Sequence, residues 1–222
     1  AADRWIVSRL NEVAAEVDVA FREYRFDLAS QAIYSFTWNE YCDWYLELSK
    51  VVLNDPKSSA AAQRGTRRTL VQVLETLLRL LHPITPFITE EIWQRVAALA
   101  GKNGATIMRE PYPLADTTVI DHEAVKEMRW VMSVVAGIRN IRGEMDIAPS
   151  KLLPVLLQDA SVQDLACLER NRATLATLAR TESITCLKPG DTAPESATAL
   201  VGNMKVLVPL GSLINKQAEL ER

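Results

Sequence analysis

The feature that most constrains the fold is a leucine-rich stretch that ends at two closely spaced prolines. Apolar residues at spacings of three and four run from Leu70 to Leu81, which predicts a helix with one buried face. Pro83 and Pro86 follow, and each removes an amide hydrogen and restricts the residue before it. Thr85 and Pro86 are residue types preferred at the N-cap and first position of a helix. We therefore predict a helix, a sharp corner and a second helix, around which the other helices pack.

The composition places the chain among globular proteins with a buried core. It has 222 residues, of which 48% are hydrophobic, which fits one large domain or two small ones. No apolar run reaches the length of about 18 residues that indicates a membrane helix. The first residues lack the pattern of a signal peptide. We therefore expect a cytoplasmic protein that does not bind a membrane.

Cysteine content and net charge narrow the function classes further. Cys42, Cys167 and Cys186 are odd in number and far apart, which suggests neither a disulfide framework nor a zinc site. The net charge is −3, which argues against a surface broadly coated with cations for non-specific nucleic-acid binding. DNA is therefore not an expected partner, although local basic patches are compatible with this charge.

Periodicity predicts a mainly α-helical chain with a small α/β subdomain at its end. Helices are predicted over about residues 3–24, 27–52, 59–81, 86–99, 122–142 and 161–179. Strands are predicted over residues 153–157, 183–187, 197–201 and 204–208, the last two joined at Gly202-Asn203, where both residues accept positive φ. The fold is thus a helical bundle, residues 1–115, followed by a β-α-β-β subdomain, residues 116–213. Residues 214–222 begin a charged helix that stops abruptly, so we interpret the chain as a piece of a longer protein.

The residues present do not predict a catalytic centre. The chain has two histidines, His122 and His82, and His82 precedes a proline at a helix end, where a capping role is favoured. The sequence has no glycine-rich phosphate-binding motif and no metal-binding motif. Glu40, Glu90 and Glu91 fit solvent-facing or dipole-facing helix positions. We therefore assign no catalytic residue and no metal ligand.

The helix predicted over residues 27–52 is unusually rich in aromatic residues. An α-helix turns by about 100° per residue, so six aromatic residues within twelve positions cannot all share one face. They are Tyr34, Phe36, Trp38, Tyr41, Trp44 and Tyr45. Exposed rings stack on unpaired bases while polar neighbours contact base edges, so the pattern is compatible with RNA binding. A buried aromatic core in a helical bundle gives the same pattern, and both interpretations stay open.

Several runs of residues resemble the C-terminal part of bacterial valyl-tRNA synthetases, over essentially the whole chain. The helix-corner element from His82 to Trp93 is similar in the class I synthetases for valine, isoleucine and leucine. The runs EYCDWYLE, from Glu40, and IRNIRGE, from Ile138, resemble the valine enzymes specifically. Shorter similar runs are Asp3-Arg4-Trp5 and Tyr24-Arg25-Phe26.

The resemblance implies a helical anticodon-binding domain, a small α/β subdomain and a coiled-coil arm that begins near residue 214. In the family, the Leu-Glu pair of the W-Y-L-E run lies at the middle anticodon base, and it corresponds to Leu46 and Glu47. A carboxylate accepts a hydrogen bond from an exocyclic amine, and leucine packs against a base face. Further tRNA-binding candidates are Trp38 for stacking and, for phosphate contact, Lys50, Arg64, Arg67 and Arg68.

The resemblance also implies what the chain does not do alone. The His-Ile-Gly-His and Lys-Met-Ser-Lys-Ser signatures of amino-acid activation are absent, as is an upstream Asn-Lys-x-Trp-Asn-Ala helix that adds anticodon contacts in the family. We therefore expect no enzyme activity and no cofactor in this chain, whereas its parent joins valine to tRNA with ATP and magnesium. The expected partner is valine tRNA, bound by a monomer.

Some alternatives remain open from the sequence. A stand-alone helical module that binds another protein would use the same aromatic helix. The corner element alone also fits an isoleucyl- or leucyl-tRNA synthetase. Arg139 and Arg142 lie on one helix face, and they either brace the two subdomains, with Glu144 as a partner, or contact RNA.

Overall fold

The computed structural model of the chain describes residues 1–188 and 190–212. It divides into two compact units, Ala1–Lys126 and a second unit that begins at Glu127. A helical bundle followed by a small α/β subdomain is therefore confirmed as the fold class. The predicted boundary at residues 115/116 stays a prediction, and the coiled-coil start at residues 214–222 lies outside the described residues.

The first unit is built from helices. They are α1 (Ala2–Arg22), α2 (Phe26–Ser35), a π-helical segment (Phe36–Tyr45), α3 (Leu46–Leu53), α4 (Ala60–Leu81) and α5 (Pro86–Val96). Short 3-10 turns follow at Ala97–Ala100, Ile107–Arg109 and Thr117–Val119. One face of α1 supplies the centre of the core through Trp5, Ile6 and Val17, all of which are buried. The helix predicted over about residues 3–24 is therefore confirmed, and it buries one apolar face.

The predicted proline corner is confirmed between α4 and α5. His82 occupies the C-cap of α4, and α5 begins at Pro86 with Thr85 in the N-cap position. The His82 ring nitrogen Nδ1 lies 2.8 Å from the hydroxyl of Thr89. Trp93 on α5 is fully buried beside Leu78 of α4. The corner therefore folds the two helices onto one small hydrophobic cluster.

Residues 26–53 form one continuous helix, here called the aromatic helix, which comprises α2, the π-helical segment and α3. The backbone stays helical at both junctions. The π-helical segment is defined by hydrogen bonds that run five residues back, such as the one from the Leu46 amide to the Tyr41 carbonyl. The predicted extent of this helix is confirmed, but its wider winding was not predicted.

The second unit places helices α6 and α7 with a four-stranded mixed sheet. The helices are α6 (His122–Glu144), whose first residues belong to the first unit, and α7 (Val162–Leu178). The strands are β1 (Leu153–Gln158), β2 (Thr181–Cys186), β3 (Ser196–Val201) and β4 (Met204–Pro209). Their order in the sheet is β2-β1-β4-β3, with β1 parallel to β2 and the other pairs antiparallel. The predicted β-α-β-β order is therefore confirmed.

Local sequence explains several details of this unit. Ser161 and Asp164 form a reciprocal capping box at the start of α7. The β3–β4 hairpin uses positive φ at Gly202 (+59°) but not at Asn203. A Cβ atom added at Gly137 of α6 would lie 3.1 Å from the Cβ of Ala199 in β3, so glycine permits this close packing. None of the helices in the described part of the chain is long and apolar enough to span a bilayer.

Candidate nucleic-acid interface

The π-helical winding decides which side chains of the aromatic helix share a face. In a regular α-helix, Trp38 and Glu47 would lie about two and a half turns apart and hence on opposite sides. With bonds five residues back, residues four or five positions apart share a side instead. Phe36, Tyr41 and Tyr45 follow this spacing and are all buried. Trp38 and Glu47, nine positions apart, therefore lie together on the opposite, outer side.

The exposure of these side chains fits this inferred assignment of faces. The Trp38 residue is 56% exposed, and the side chains of Glu47 and Lys50 are 45% and 56% exposed. Tyr34, one turn before Trp38, and Asp43 between the two ends of the face are also exposed. We call the set Tyr34, Trp38, Asp43, Glu47 and Lys50 the outer row. It combines two aromatic rings with two carboxylates and an ammonium group.

Glu47 and Lys50 form an ion pair within the outer row. The Lys50 Nζ donates to Glu47 Oε1 at 2.6 Å. The second oxygen, Oε2, has no hydrogen bond to any residue that the structure describes, so it is available to accept from a ligand. Lys50 has two further donor hydrogens, which a phosphate oxygen would accept. The predicted site residues Glu47 and Lys50 thus lie together, and each retains hydrogen-bonding atoms that RNA could contact.

Leu46 begins α3 and is half-buried beside an anchored tyrosine. The preceding residue, Tyr45, donates its hydroxyl to Asp3 at 2.6 Å, and Thr66 of α4 donates to the other oxygen of Asp3 at 2.9 Å. Burial, followed by the Asp3 hydrogen bond, raises the pKa of Tyr45, so the hydroxyl stays protonated and remains a donor. Three helices therefore fix the position at which the predicted Leu46-Glu47 pair begins.

Arg64, Arg67 and Arg68 are exposed on the first turns of α4. Their spacing of three and four places them on one helix face. Within the described part of the chain, none of the three forms a hydrogen bond or ion pair with another side chain. No hydrogen bond or ion pair joins them to Glu47 or Lys50 among these residues either. They are an unpaired cationic cluster close in sequence to Thr66, which α4 contributes to the Asp3 anchor.

Sequence reasoning missed the ion pair that holds the π-helical segment to α1. Arg9 donates to both oxygens of Glu40, at 2.7 and 2.9 Å, and also contacts Glu12. Glu40 was predicted to be a solvent-facing carboxylate, but its side chain is mostly buried in this pair. The pKa of Arg9 is raised, chiefly by its hydrogen bond with Glu40. Because the partners are 31 positions apart, no local spacing signals the pair.

Arg139 and Arg142 have a structural role inside the second unit. Arg139 donates to the Leu178 carbonyl at 3.3 Å, and Arg142 donates to the carbonyls of Ala179 and Arg180 at 3.0 and 2.8 Å. These carbonyls lie at the C-terminal end of α7, where cations are favourable. These bonds lie within the second unit, and bracing of the two subdomains through Glu144 stays a prediction.

The described residues hold no group of three histidine, cysteine or acidic side chains close enough to bind a metal ion.

Comparison with known protein families identifies one match. The family model of the anticodon-binding domain of tRNA ligase matches residues 3–157. The match covers more than two thirds of the chain. It includes the aromatic helix, the proline corner and the cationic cluster on α4.

Proposed function

Because the chain belongs to the family of anticodon-binding domains of tRNA ligases, we propose that its outer row binds the anticodon loop of a tRNA. The observation that supports this use of the outer row is the exposure of Trp38, Glu47 and Lys50 on one helix face. The ring of Trp38 stacks on an unpaired base, Glu47 accepts from an exocyclic amine, and Lys50 contacts a phosphate. Leu46 packs against the face of the base that Glu47 contacts.

We further propose that the tRNA is specific for valine and that the contacted base is the middle base of the anticodon. Support comes from the runs Glu40–Glu47 and Ile138–Glu144, which resemble valyl-tRNA synthetases. The proline corner and the family match are equally compatible with the isoleucine and leucine enzymes. The valine assignment therefore needs the binding experiment below.

We propose that the parent protein joins valine to tRNA in the cytoplasm with ATP and magnesium, and that this chain binds tRNA as a monomer. ATP and magnesium are assigned to the parent because the His-Ile-Gly-His and Lys-Met-Ser-Lys-Ser signatures are absent from this sequence. The contribution of this chain is to position the tRNA through its anticodon loop.

A salt-dependent titration tests the proposal directly. The chain is titrated with valine tRNA and with the same transcript carrying a changed middle anticodon base, at several salt concentrations. We expect tighter binding to the unchanged tRNA and weaker binding of both at higher salt. Equal affinity for the two tRNAs would contradict recognition of the anticodon by this chain, and preference for an isoleucine or leucine tRNA would contradict the valine assignment.

Two substitutions separate base contact from phosphate contact. Glu47→Ala should reduce discrimination at the middle base by about 1–3 kcal/mol, because it removes the hydrogen-bond acceptor, whereas glutamine would keep an accepting amide oxygen. Lys50→Ala should weaken all tRNAs alike and lower the salt slope by about 0.7. The matched control is Glu169→Ala, which breaks an ion pair of the same spacing and the same 2.6 Å length on α7. Discrimination that survives Glu47→Ala would refute the site assignment.

A further inference from the structure

An apolar groove borders the aromatic end of the outer row. Tyr34 and Trp38 of the aromatic helix line one side, and Leu81 and Ile84 at the proline corner line the other. The groove encloses about 550 Å³, within the range of about 300–1,000 Å³ typical of small-molecule sites. Because Trp38 belongs to both, the groove is continuous with the surface proposed to contact the anticodon.

The remaining lining residues carry little capacity to distinguish ligands by hydrogen bonding. Ser30 and Thr37 donate their hydroxyls to carbonyls of their own helix, at 2.7 and 2.6 Å. Gln31 and the Tyr34 hydroxyl keep free polar atoms, and no lining residue is charged. A groove of this composition favours a flat, largely apolar ring and does not depend on the identity of its edge groups.

A second groove of the same unit has the opposite electrostatic character. It lies between α1 and α2, encloses about 660 Å³, and is lined by Glu16, Glu23 and the Arg9–Glu40 pair. Three carboxylates and one guanidinium make its rim net negative, which disfavours the RNA backbone. The neutral groove at Trp38 is therefore the better candidate for a nucleotide.

We propose that the Trp38 groove is a stacking subsite for one unpaired base of the anticodon loop, adjacent to the base that Glu47 contacts. The base inserts between the aromatic rings of Tyr34 and Trp38 and the aliphatic side chains of Leu81 and Ile84. Any of the four bases is accepted, because every base has a π-face and the stacking contacts do not involve the hydrogen-bonding edge of the base. This subsite rests on the proposed function, and it adds affinity without sequence specificity.

The experiment uses anticodon stem-loop RNAs that carry the fluorescent base 2-aminopurine at either position flanking the middle anticodon base. With the unaltered chain, we expect the fluorescence at one of these positions to be quenched on binding. Trp38→Ala should abolish the quenching and weaken binding about 10-fold for every loop sequence, and Trp38→Phe should restore most of both. Tyr24→Asn is the control, since it removes an exposed ring at φ +58°, a conformation that asparagine tolerates.

Glu47→Ala separates the subsite from base recognition. It should retain the quenching while discrimination at the middle base falls. If Trp38→Ala binds with unchanged affinity and unchanged quenching, the subsite and the stacking role of Trp38 are refuted, while the anticodon contacts proposed for Glu47 and Lys50 are unaffected. If the unaltered chain binds none of the RNAs at low salt, both the subsite and the proposed function are refuted.

Discussion

Single residues fix the start of the candidate interface, and Asp3 is the clearest case. Its carboxylate accepts hydrogen bonds from Tyr45 of the π-helical segment and Thr66 of α4. The sequence marks Asp3 through the Asp3-Arg4-Trp5 run, but it does not indicate these partners, because they are 42 and 63 positions away. A residue conspicuous in the sequence is thus explained only by the tertiary fold.

Replacing Tyr45 tests this anchor. Tyr45→Phe removes a hydrogen bond and leaves one oxygen of Asp3 without that partner, so we expect a loss of about 1–3 kcal/mol in the free energy of unfolding. Urea denaturation followed by circular dichroism measures the loss. Tyr34→Phe is the matched control. Because Tyr34 is exposed, this substitution should change the free energy of unfolding by less than about 0.5 kcal/mol. Equal effects of the two substitutions would argue against the anchor.

Two tyrosines with raised pKa values also predict how stability depends on pH. Desolvation raises the pKa of the buried Tyr41 and of the partly exposed Tyr112 to about 12, whereas an unfolded tyrosine titrates near 10. Their contribution to stability is therefore complete below about pH 10 and is lost as the pH rises towards 12. Urea midpoints measured between pH 8 and 11 should fall above pH 10. Tyr41→Phe and Tyr112→Phe should each make the fall shallower, and an unchanged slope would contradict the assignment.

Whole elements are held by contacts that join helices, and the proline corner shows this best. Glu75 of α4 is 2% exposed and accepts two hydrogen bonds from Arg79, each 2.9 Å, and one from Trp93 of α5 at 3.0 Å. Arg79 also donates to the Pro111 carbonyl at 2.8 Å. One carboxylate therefore links both helices of the corner and, through Arg79, the loop that follows them.

Removing the Glu75 charge should be costly for this element. Glu75→Gln leaves Arg79, whose side chain is 13% exposed, as a poorly compensated buried cation, and we expect a loss of about 3–5 kcal/mol. Glu91→Gln is the control, because Glu91 and Arg95 form a pair with the same spacing on the exposed face of α5. The control should lose less than about 1 kcal/mol. The free energy of unfolding of both variants is measured by urea denaturation. Similar losses in the two variants would show that Glu75 does not hold α4 and α5 together.

The elements differ in how well the sequence predicts them. The corner follows from leucine spacing and two prolines, which are local signals, so α4 ends and α5 begins where expected, although α5 ends at Val96 rather than near residue 99. The π-helical winding has no such signal. Aromatic crowding indicated that one α-helical face was not enough, but α-helical spacing places Trp38 opposite Glu47, so their shared face was not predictable. By contrast, the three-residue spacing of Glu47 and Lys50 already favoured their contact, while the role of Leu46 still rests on family resemblance.

At the scale of the whole molecule, charge decides where RNA can be attracted. The chain carries 25 basic and 28 acidic residues, so its overall field does not draw in an anion. Most arginines of the first unit are paired with carboxylates, including Arg22, Arg25 and Arg95. Arg64, Arg67 and Arg68 have no acidic partner among the described residues. Attraction to RNA should therefore depend on this cluster rather than on net charge.

Two triple substitutions distinguish local from overall charge. Replacing Arg64, Arg67 and Arg68 by glutamine changes the net charge from −3 to −6, and so does replacing the paired arginines Arg22, Arg25 and Arg95. If the α4 cluster contacts phosphates, the first variant should lower the salt slope of tRNA binding by about 2, equally for either anticodon, because three contacts at about 0.7 each are lost. The second variant should leave the slope nearly unchanged, since those arginines already neutralise carboxylates. Equal weakening in both variants would mean that the cluster acts only through the total charge of the molecule and contacts no phosphate.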